Sequence, residues 1–188
     1  LMLKSIYIVL LFVLISLISC KNTIEKPKTN PNYDKVKINN QFIKVNQQLV
    51  KKENDEMDYY QKAHQLNFVK TKSGVRYLVY KPSLKGDSIQ NGDVLQLNYT
   101  LSLLDGTLCY SSEKDGVKQF KVGMQDVEDG LHKAVLYLKS GDRALILIPS
   151  HLAHGLLGDS KRIPPQMPII YDLEIISVVK EEGSNEDK

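Results

Sequence analysis

Cysteine is scarce in this chain, which contains only two, Cys20 and Cys109, among 188 residues. If Cys20 carries a lipid, as argued below, Cys109 is left alone, and one cysteine cannot form an internal disulfide. Cys109 lies in an apolar stretch with no base beside it in the sequence. We therefore interpret it as a small buried side chain rather than as a nucleophile.

A strong excess of charge of one sign is also lacking, because 25 lysines and arginines face 22 aspartates and glutamates. No stripe of basic residues interleaved with aromatics runs along the chain, so we expect no nucleic acid partner. His151 and His154 stand close together, but Cys109 is the only apparent soft ligand and no second cluster accompanies them. We therefore expect no metal site.

One long apolar run is present, and it lies at the N-terminus. Lys4 precedes the run from Ile6 to Leu14, which has the outline of a secretory signal. The letters LISC, ending at Cys20, resemble a bacterial lipobox, in which the cysteine is lipidated. We expect residues 1–19 to be a signal peptide and the protein to be anchored to the cell envelope by lipid, facing the periplasm or the outer-membrane surface. An uncleaved anchor is the alternative, although the run is short of the ~20 residues that a span needs.

The next segment, residues 20–37, is rich in lysine, asparagine, proline and threonine and has almost no large apolar groups. Such a composition buries too little surface to offset the entropy lost on ordering. We interpret it as a flexible tether between the lipid anchor and the folded part of the chain.

Residues 38–69 are expected to be a helical segment, since no proline or glycine occurs from 38 to 64. Apolar residues recur there at steps of three and four, with one charged gap, at Ile38, Phe42, Val45, Leu49, Met57 and Tyr60. Two interpretations are open. A helix or helix pair packs on its own domain, which the short stripe favours, or the segment is a dimerisation arm that makes a homodimer.

Residues 70–180 read as one α+β domain, followed by a disordered tail over 181–188. Alternation and turn signals predict strands near 75–81, 94–103, 108–112, 120–122, 144–148 and 168–179. One helix is predicted over 127–138, with Asp129 as its cap and with His132 solvated. The order indicates a curved antiparallel sheet of five to six strands wrapped on one short helix.

A long loop from Pro149 to Pro165 separates the last two of these strands. Connections longer than about 12–15 residues without structure of their own are uncommon and are usually functional. We therefore expect the functional site to involve this loop.

Four phrases within Gly92–Val179 follow one another in a familiar order: NYTLSLLDGTLCYSS, QFKVGMQDVEDGLHKAV, SGDRALILIPSHLAHG and IPPQMPIIYDLEIISV. Together they resemble the FKBP-type peptidyl-prolyl cis-trans isomerases, and four linked motifs are far more specific than one. The whole chain is most similar to lipoprotein members from Bacteroidetes-type bacteria, including those associated with gliding motility.

The resemblance implies an FKBP-like fold and a membrane-tethered isomerase that assists the folding of proline-containing exported polypeptides, with neither metal nor cofactor. The alternative is a weakly catalytic or non-catalytic module of the same fold, which binds partners in an envelope assembly such as a gliding-motility complex. The resemblance also implies the pocket residues. Those expected to act on the twisted bond are Tyr99, Phe120, Val127, His154, Ile163 and Tyr171, and those expected to bind the substrate are Cys109, Tyr110, Glu128, Leu131 and Ala153.

Several of these positions depart from the family pattern. Cys109-Tyr110 replaces Phe-Asp, which removes an aromatic wall and an acceptor, and Leu131 replaces the usual Trp at the pocket floor. His154 stands where the family uses Tyr to donate to the bound carbonyl, and either ring nitrogen of histidine can donate. Glu128 replaces an apolar residue whose contribution is expected through its backbone N–H.

Overall fold

The computed structural model describes residues 31–124 and 127–180, without the side chains of 31–37. The expected signal peptide, Cys20 and the tail over 181–188 lie outside these residues. The chain divides into two compact units, Leu1–Phe42 and Ile43–Lys188. Of the first unit only helical residues from Pro31 onwards are described, and the fold below is that of the second.

Helix α1 spans Pro31–Ala63 and therefore begins inside the segment that we interpreted as a tether, not at Ile38. It is one continuous helix rather than a helix pair. Nowhere in the described residues is there a helix with the length and apolar content that crossing a bilayer requires.

The sheet contains seven strands, all paired antiparallel. Their order is β1-β2-β6-β7-β3-β4, and β5 also pairs with β3. The bounds are β1 Val69–Lys70, β2 Arg76–Lys81, β3 Val94–Leu103, β4 Leu108–Ser111, β5 Lys118–Lys121, β6 Arg143–Ile148 and β7 Ile169–Val179. The expected α+β class with an antiparallel sheet is confirmed, and the strand that the sequence did not predict is the two-residue β1.

Three short helical elements connect the strands: α2 Ser112–Asp115, α3 Asp129–Val135 and a 3-10 turn, Ser150–Leu152. Helix α3 is shorter than predicted. Asp129 is its first helical residue and not its cap, because Glu128 occupies the N-cap position without a capping hydrogen bond from its side chain.

The main core lies on one face of the sheet, where α3 packs. Strand β3 alternates buried and outward residues, as a strand with one buried face must. The core side chains of this strand are Leu95, Leu97, Tyr99, Leu101 and Leu103.

The prediction that His132 is solvated was wrong: Nδ1 accepts a hydrogen bond from the Gly123 N–H at 3.1 Å, and the ring packs edge-on against Phe120. Its position on the inner side of the short α3 explains the difference.

The second face of the sheet is covered by α1. Met57 of the helix is fully buried against Leu147 of β6 and Ile170 of β7. Beside this cluster, Arg76 of β2 is buried, and its Nη1 lies 2.6 Å from Oδ1 of Asp58. A buried guanidinium is tolerated only when it is paired, so this ion pair fixes the helix against β2.

The predicted apolar stripe of α1 thus divides in two. Met57 and Tyr60 pack on the domain, as the favoured interpretation required. Ile38, Phe42 and Val45 are exposed. For these residues the dimerisation arm stays a prediction.

We predict that Met57→Ala lowers the free energy of unfolding by about 2–5 kcal/mol, because it removes a fully buried side chain and leaves a cavity. The matched control is Tyr59→Ala two positions along the helix, since Tyr59 is 74% exposed and should change stability by no more than about 0.5 kcal/mol. Urea denaturation of the full chain measures both. Equal effects of the two substitutions would mean that α1 does not dock on the sheet.

Candidate active site

A cavity of about 230 Å³ opens between the central strands, the entry to α3 and the long loop. Apart from Leu101, polar and aromatic side chains line it: Tyr99, Tyr110, Lys118, Glu128, His154, Asp159 and Lys161. Its volume is below the roughly 300–1,000 Å³ of sites for drug-sized ligands, so it suits a single side chain or ring.

Two tyrosines meet on the central strands. In the β3–β7 ladder Leu101 lies opposite Tyr171, which places Tyr99 diagonally across from it on the same face. The ring centroids of Tyr99 and Tyr171 are 5.7 Å apart with a 49° tilt. The strand register therefore positions both aromatic residues.

The apolar residues implied by the resemblance come together, but deeper than the cavity. Phe120, Leu131, Ile163 and Tyr171 are all buried in one cluster, and none of them lines this cavity. Val127, Tyr110 and Ala153 pack against the same cluster as partly buried residues. The apolar surface expected as an open pocket floor is thus covered in this conformation.

Four polar side chains form a network: Lys118, Glu128 and His154, which line the cavity, and the buried Tyr171. The Tyr171 hydroxyl donates to the Glu128 carboxylate at 3.0 Å and accepts from Lys118 Nζ at 3.1 Å. His154 Nε2 lies 3.1 Å from Glu128 Oε1, and Lys118 Nζ lies 3.9 Å from Oε2. His154 Nε2 is not aimed squarely at the carboxylate, so this contact is not a well-formed hydrogen bond.

The network decides the protonation of its members. Burial by itself would raise the pKa of Glu128, but His154, Lys118 and the Tyr171 hydroxyl together lower it to about 2. Burial, with the neighbouring Glu128 charge, raises the pKa of Tyr171 well above its usual value. At neutral pH the pair is therefore a carboxylate that accepts from a neutral phenol. Glu128 thus presents its side chain to the site, whereas we expected its contribution through the backbone N–H.

Lys118 also covers an aromatic face. Its ammonium lies 5.0 Å from the ring centroid of Tyr99 and 5.5 Å from that of Tyr171, within the range of cation–π attraction. Any ring that stacks on these tyrosines must share their faces with this cation.

The acid missing from the hairpin is supplied by the loop. Asp159 accepts a short hydrogen bond from the Tyr110 hydroxyl, and its other oxygen accepts the backbone N–H groups of Lys161, Arg162 and Ile163. These donors outweigh burial and lower the pKa of Asp159, while the hydrogen bond to Asp159 raises the pKa of Tyr110 to about 12. The Tyr110 phenol of β4 and the Asp159 carboxylate of the loop thus form a hydrogen-bonded pair at the wall of the cavity.

Cys109 is buried behind this pair. Its thiol lies 3.5 Å from the Arg162 carbonyl oxygen, and Arg162 Nη1 donates to the Cys109 carbonyl at 2.7 Å. The guanidinium stacks 4.7 Å from the ring centroid of Tyr110. Because burial raises the pKa of Cys109, the thiol stays protonated, which fits the small buried residue that we expected.

Sequence reasoning missed Lys118, Asp159 and Arg162. Nothing local identifies them: Asp159 lies in a polar loop and Lys118 begins a short strand. Only the fold brings Lys118 and Asp159 to the cavity and Arg162 against the ring of Tyr110. No group of three or more His, Cys, Asp or Glu residues suited to hold a metal occurs within residues 31–124 and 127–180.

A scan of protein families matches residues 86–176 to the FKBP-type peptidyl-prolyl cis-trans isomerase model. FK506-binding protein 2 of Dictyostelium discoideum is 33% identical over 100 residues, which cover 53% of this chain and 75% of that protein. The macrophage infectivity potentiator of Trypanosoma cruzi is 35% identical over 121 residues, covering 63% of this chain and 60% of that protein. The chain belongs to the FKBP-type peptidyl-prolyl cis-trans isomerase family.

Solved structures agree on the fold. A peptidyl-prolyl cis-trans isomerase from Pseudomonas syringae superimposes with a TM-score of 0.61 at 21% identity, covering 71% of this chain and 96% of that one. FkpA from Escherichia coli superimposes with a TM-score of 0.59 at 23% identity, covering 82% of this chain and 75% of that one. The chain spans only 52% of FKBP11 from Bos taurus, to which it is 30% identical. It likewise spans about half to three fifths of other curated relatives that it matches.

We predict that Glu128 contributes to acid sensitivity. Its pKa is lowered in the fold from an ordinary 4.5 to about 2, so its stabilising effect is complete above pH 4.5 and is lost as the pH falls towards 2. At 1.36 kcal/mol per pKa unit, the loss is about 3 kcal/mol. Chemical denaturation between pH 6 and 2 should therefore show a steeper fall for the wild type than for Glu128→Gln. Parallel curves would contradict the assignment.

Proposed function

We propose that the domain catalyses cis-trans isomerisation of X-Pro bonds in proteins. The observation that carries this proposal is the single-residue cavity, lined by Tyr99, Tyr110 and His154, next to a buried apolar cluster. The family to which the chain belongs is named for this reaction, which supports the same proposal.

The reaction requires little covalent chemistry from the protein. The peptide bond keeps a barrier of about 18–20 kcal/mol because twisting it removes amide resonance. The twisted form has less charge separation, so a dry, apolar site favours it, and fixed donors stabilise the carbonyl outside conjugation. About 4 kcal/mol off the barrier corresponds to a thousandfold faster reaction. The phenols of the cavity and His154 are the groups of this chain that can supply it.

The role of His154 is limited by its neighbour. Nε2 faces the Glu128 carboxylate at 3.1 Å, which favours a proton on that nitrogen. With the proton on Nε2, Nδ1 of the neutral ring can only accept, so donation to a bound carbonyl from Nδ1 requires a second proton on the ring. We propose that His154 and Glu128 act together as one donor unit.

A binding module with weak catalysis is the second candidate, and Lys118 favours it. The ammonium lies over the Tyr99 ring and is tied to the Tyr171 hydroxyl. A prolyl ring that stacks on Tyr99 would have to displace it, at a cost in electrostatic energy. A proline segment held beside Lys118 without turnover would suit a scaffold in an envelope assembly, for example one involved in gliding motility.

We further propose that the protein is a bacterial lipoprotein, tethered by Cys20, that assists the folding of exported envelope proteins. Lys4, the apolar run and the lipobox-like ending support this proposal. The exposed apolar residues Ile38, Phe42 and Val45 support pairing of α1 with a second copy. A tethered dimer would present two cavities to one client chain. Once the first cavity is bound, the effective concentration of the second cavity around that chain is raised.

We predict that the full chain accelerates isomerisation of Leu-Pro and Phe-Pro peptides and that Tyr99→Ala and His154→Ala lower kcat/KM by at least about tenfold, since each removes a cavity wall or donor. His151→Ala is the matched control, because His151 lies in the same loop but is exposed, and it should retain wild-type activity. Exchange NMR of the peptide gives the rates. A wild-type rate no higher than that of Tyr99→Ala, with peptide binding intact, would identify the binding module instead.

We predict that Cys20→Ser moves the protein from the membrane fraction to the soluble fraction of the cells that express it, because the thiol that would carry the lipid is gone. Fractionation followed by immunoblotting measures this, with Cys109→Ser as the control that stays at the membrane. A Cys20→Ser protein that remains membrane-bound would disprove lipid anchoring at Cys20.

A further inference from the structure

Glu53 of α1 is a buried acid that points into the domain rather than to solvent. Only 2% of the residue is exposed, although its sequence neighbours Lys51 and Lys52 are solvated. Its two carboxylate oxygens accept hydrogen bonds from one residue, Ser150: Oε2 from the backbone N–H at 2.9 Å and Oε1 from the hydroxyl at 2.5 Å. Helix and loop are therefore joined by two buried hydrogen bonds.

Ser150 in turn organises the loop that reaches the cavity. It follows Pro149 at the end of β6 and begins the 3-10 turn. Its carbonyl accepts the N–H of Ala153 at 3.0 Å and that of Gly155 at 2.8 Å. The residue between these two is His154, so the backbone on both sides of His154 is held by Ser150.

The contacts continue without a break to the catalytic groups. His154 meets Glu128, and Glu128 accepts from the Tyr171 hydroxyl. A displacement of Ser150 is therefore transmitted through two backbone hydrogen bonds to the ring that faces Glu128. Near-attack geometry is sensitive to shifts of this kind, since a 1 Å misplacement can cost about 100-fold in rate.

Docking of the helix does not need Glu53. Met57 buries its side chain in an apolar cluster, and Asp58 pairs with Arg76. A buried carboxylate is costly to desolvate, and an apolar residue at the same position would cover the sheet without that cost. What the carboxylate adds is the pair of hydrogen bonds to Ser150.

We propose that Glu53 is a positioning residue for the active site: by holding Ser150, helix α1 sets the position of His154 against Glu128. This inference rests on the proposed isomerase function. It makes this contact of the helix part of the catalytic unit, so a change in how Glu53 holds Ser150 would alter turnover at the cavity.

The test compares Glu53→Ala with Asp58→Ala in the full chain. Both remove an acid from α1 that contacts the domain, but only Glu53 touches the loop. We expect Glu53→Ala to lower kcat by about 10- to 100-fold with KM within about threefold, since the ground-state cavity is retained. Glu53→Gln keeps an acceptor for the Ser150 N–H and should recover most of kcat. Asp58→Ala should lower stability and leave kcat unchanged.

Amide hydrogen exchange supplies a readout that does not depend on turnover. Glu53→Ala should accelerate exchange at Ala153 and Gly155 by at least about tenfold relative to Asp58→Ala at matched global stability. If exchange and kcat respond alike in the two variants, or if the loop amides loosen while kcat is unchanged, Glu53 is not a positioning residue. If the wild type does not isomerise peptides, the proposed function fails, and unchanged exchange in Glu53→Ala would separately show that Glu53 does not hold the loop.

Discussion

The antiparallel ladder between β3 and β7 is the constraint on which the rest of the structure depends. It runs from Val94 opposite Val179 to Leu103 opposite Ile169 and forms the middle of the sheet. Because side chains alternate along a strand, a shift by one residue would move Tyr99 and Tyr171 from the core face to the face under α1. The apolar pattern of both strands forbids that shift. The same pattern that builds the core therefore also brings together the two tyrosines of the site.

A second constraint follows from the strands beside that ladder. Leu147 of β6 and Ile170 of β7 lie on the face away from the main core and need a cover of their own. Helix α1 provides it through Met57. Once the helix lies there, Glu53 meets the end of β6, where the loop to the cavity begins. Shielding an apolar surface and supporting the active-site loop are thus achieved by one element, which explains why the helix cannot be treated as a simple spacer.

The pairing of its carboxylates with nearby donors distinguishes this site from the pattern that the family resemblance implied. Glu128 is ionised at the N-cap of α3 only because Lys118, His154 and Tyr171 surround it. Asp159 takes over the acid expected beside Cys109 by pairing with Tyr110 from the loop. The buried Glu128 carboxylate is kept by several donors, as the low polarity of the interior requires. The partly exposed Asp159 carboxylate likewise accepts several hydrogen bonds. The cavity is therefore more polar than the motif resemblance implied, while the apolar cluster beneath it is retained.

The sequence by itself determined the elements whose signal is local. Alternation predicted β3 and β7, the motifs predicted Tyr99, His154 and Tyr171 at the site, and the helical period predicted α1, though not its start at Pro31. Only the tertiary structure decided which groups form hydrogen bonds and ion pairs with the charged side chains. Glu53 reads as a solvated interruption of the stripe, and its partner Ser150 lies 97 residues away. Periodicity reports which face of an element is apolar, but a hydrogen bond between distant segments exists only after packing has placed both ends, so no local pattern records it.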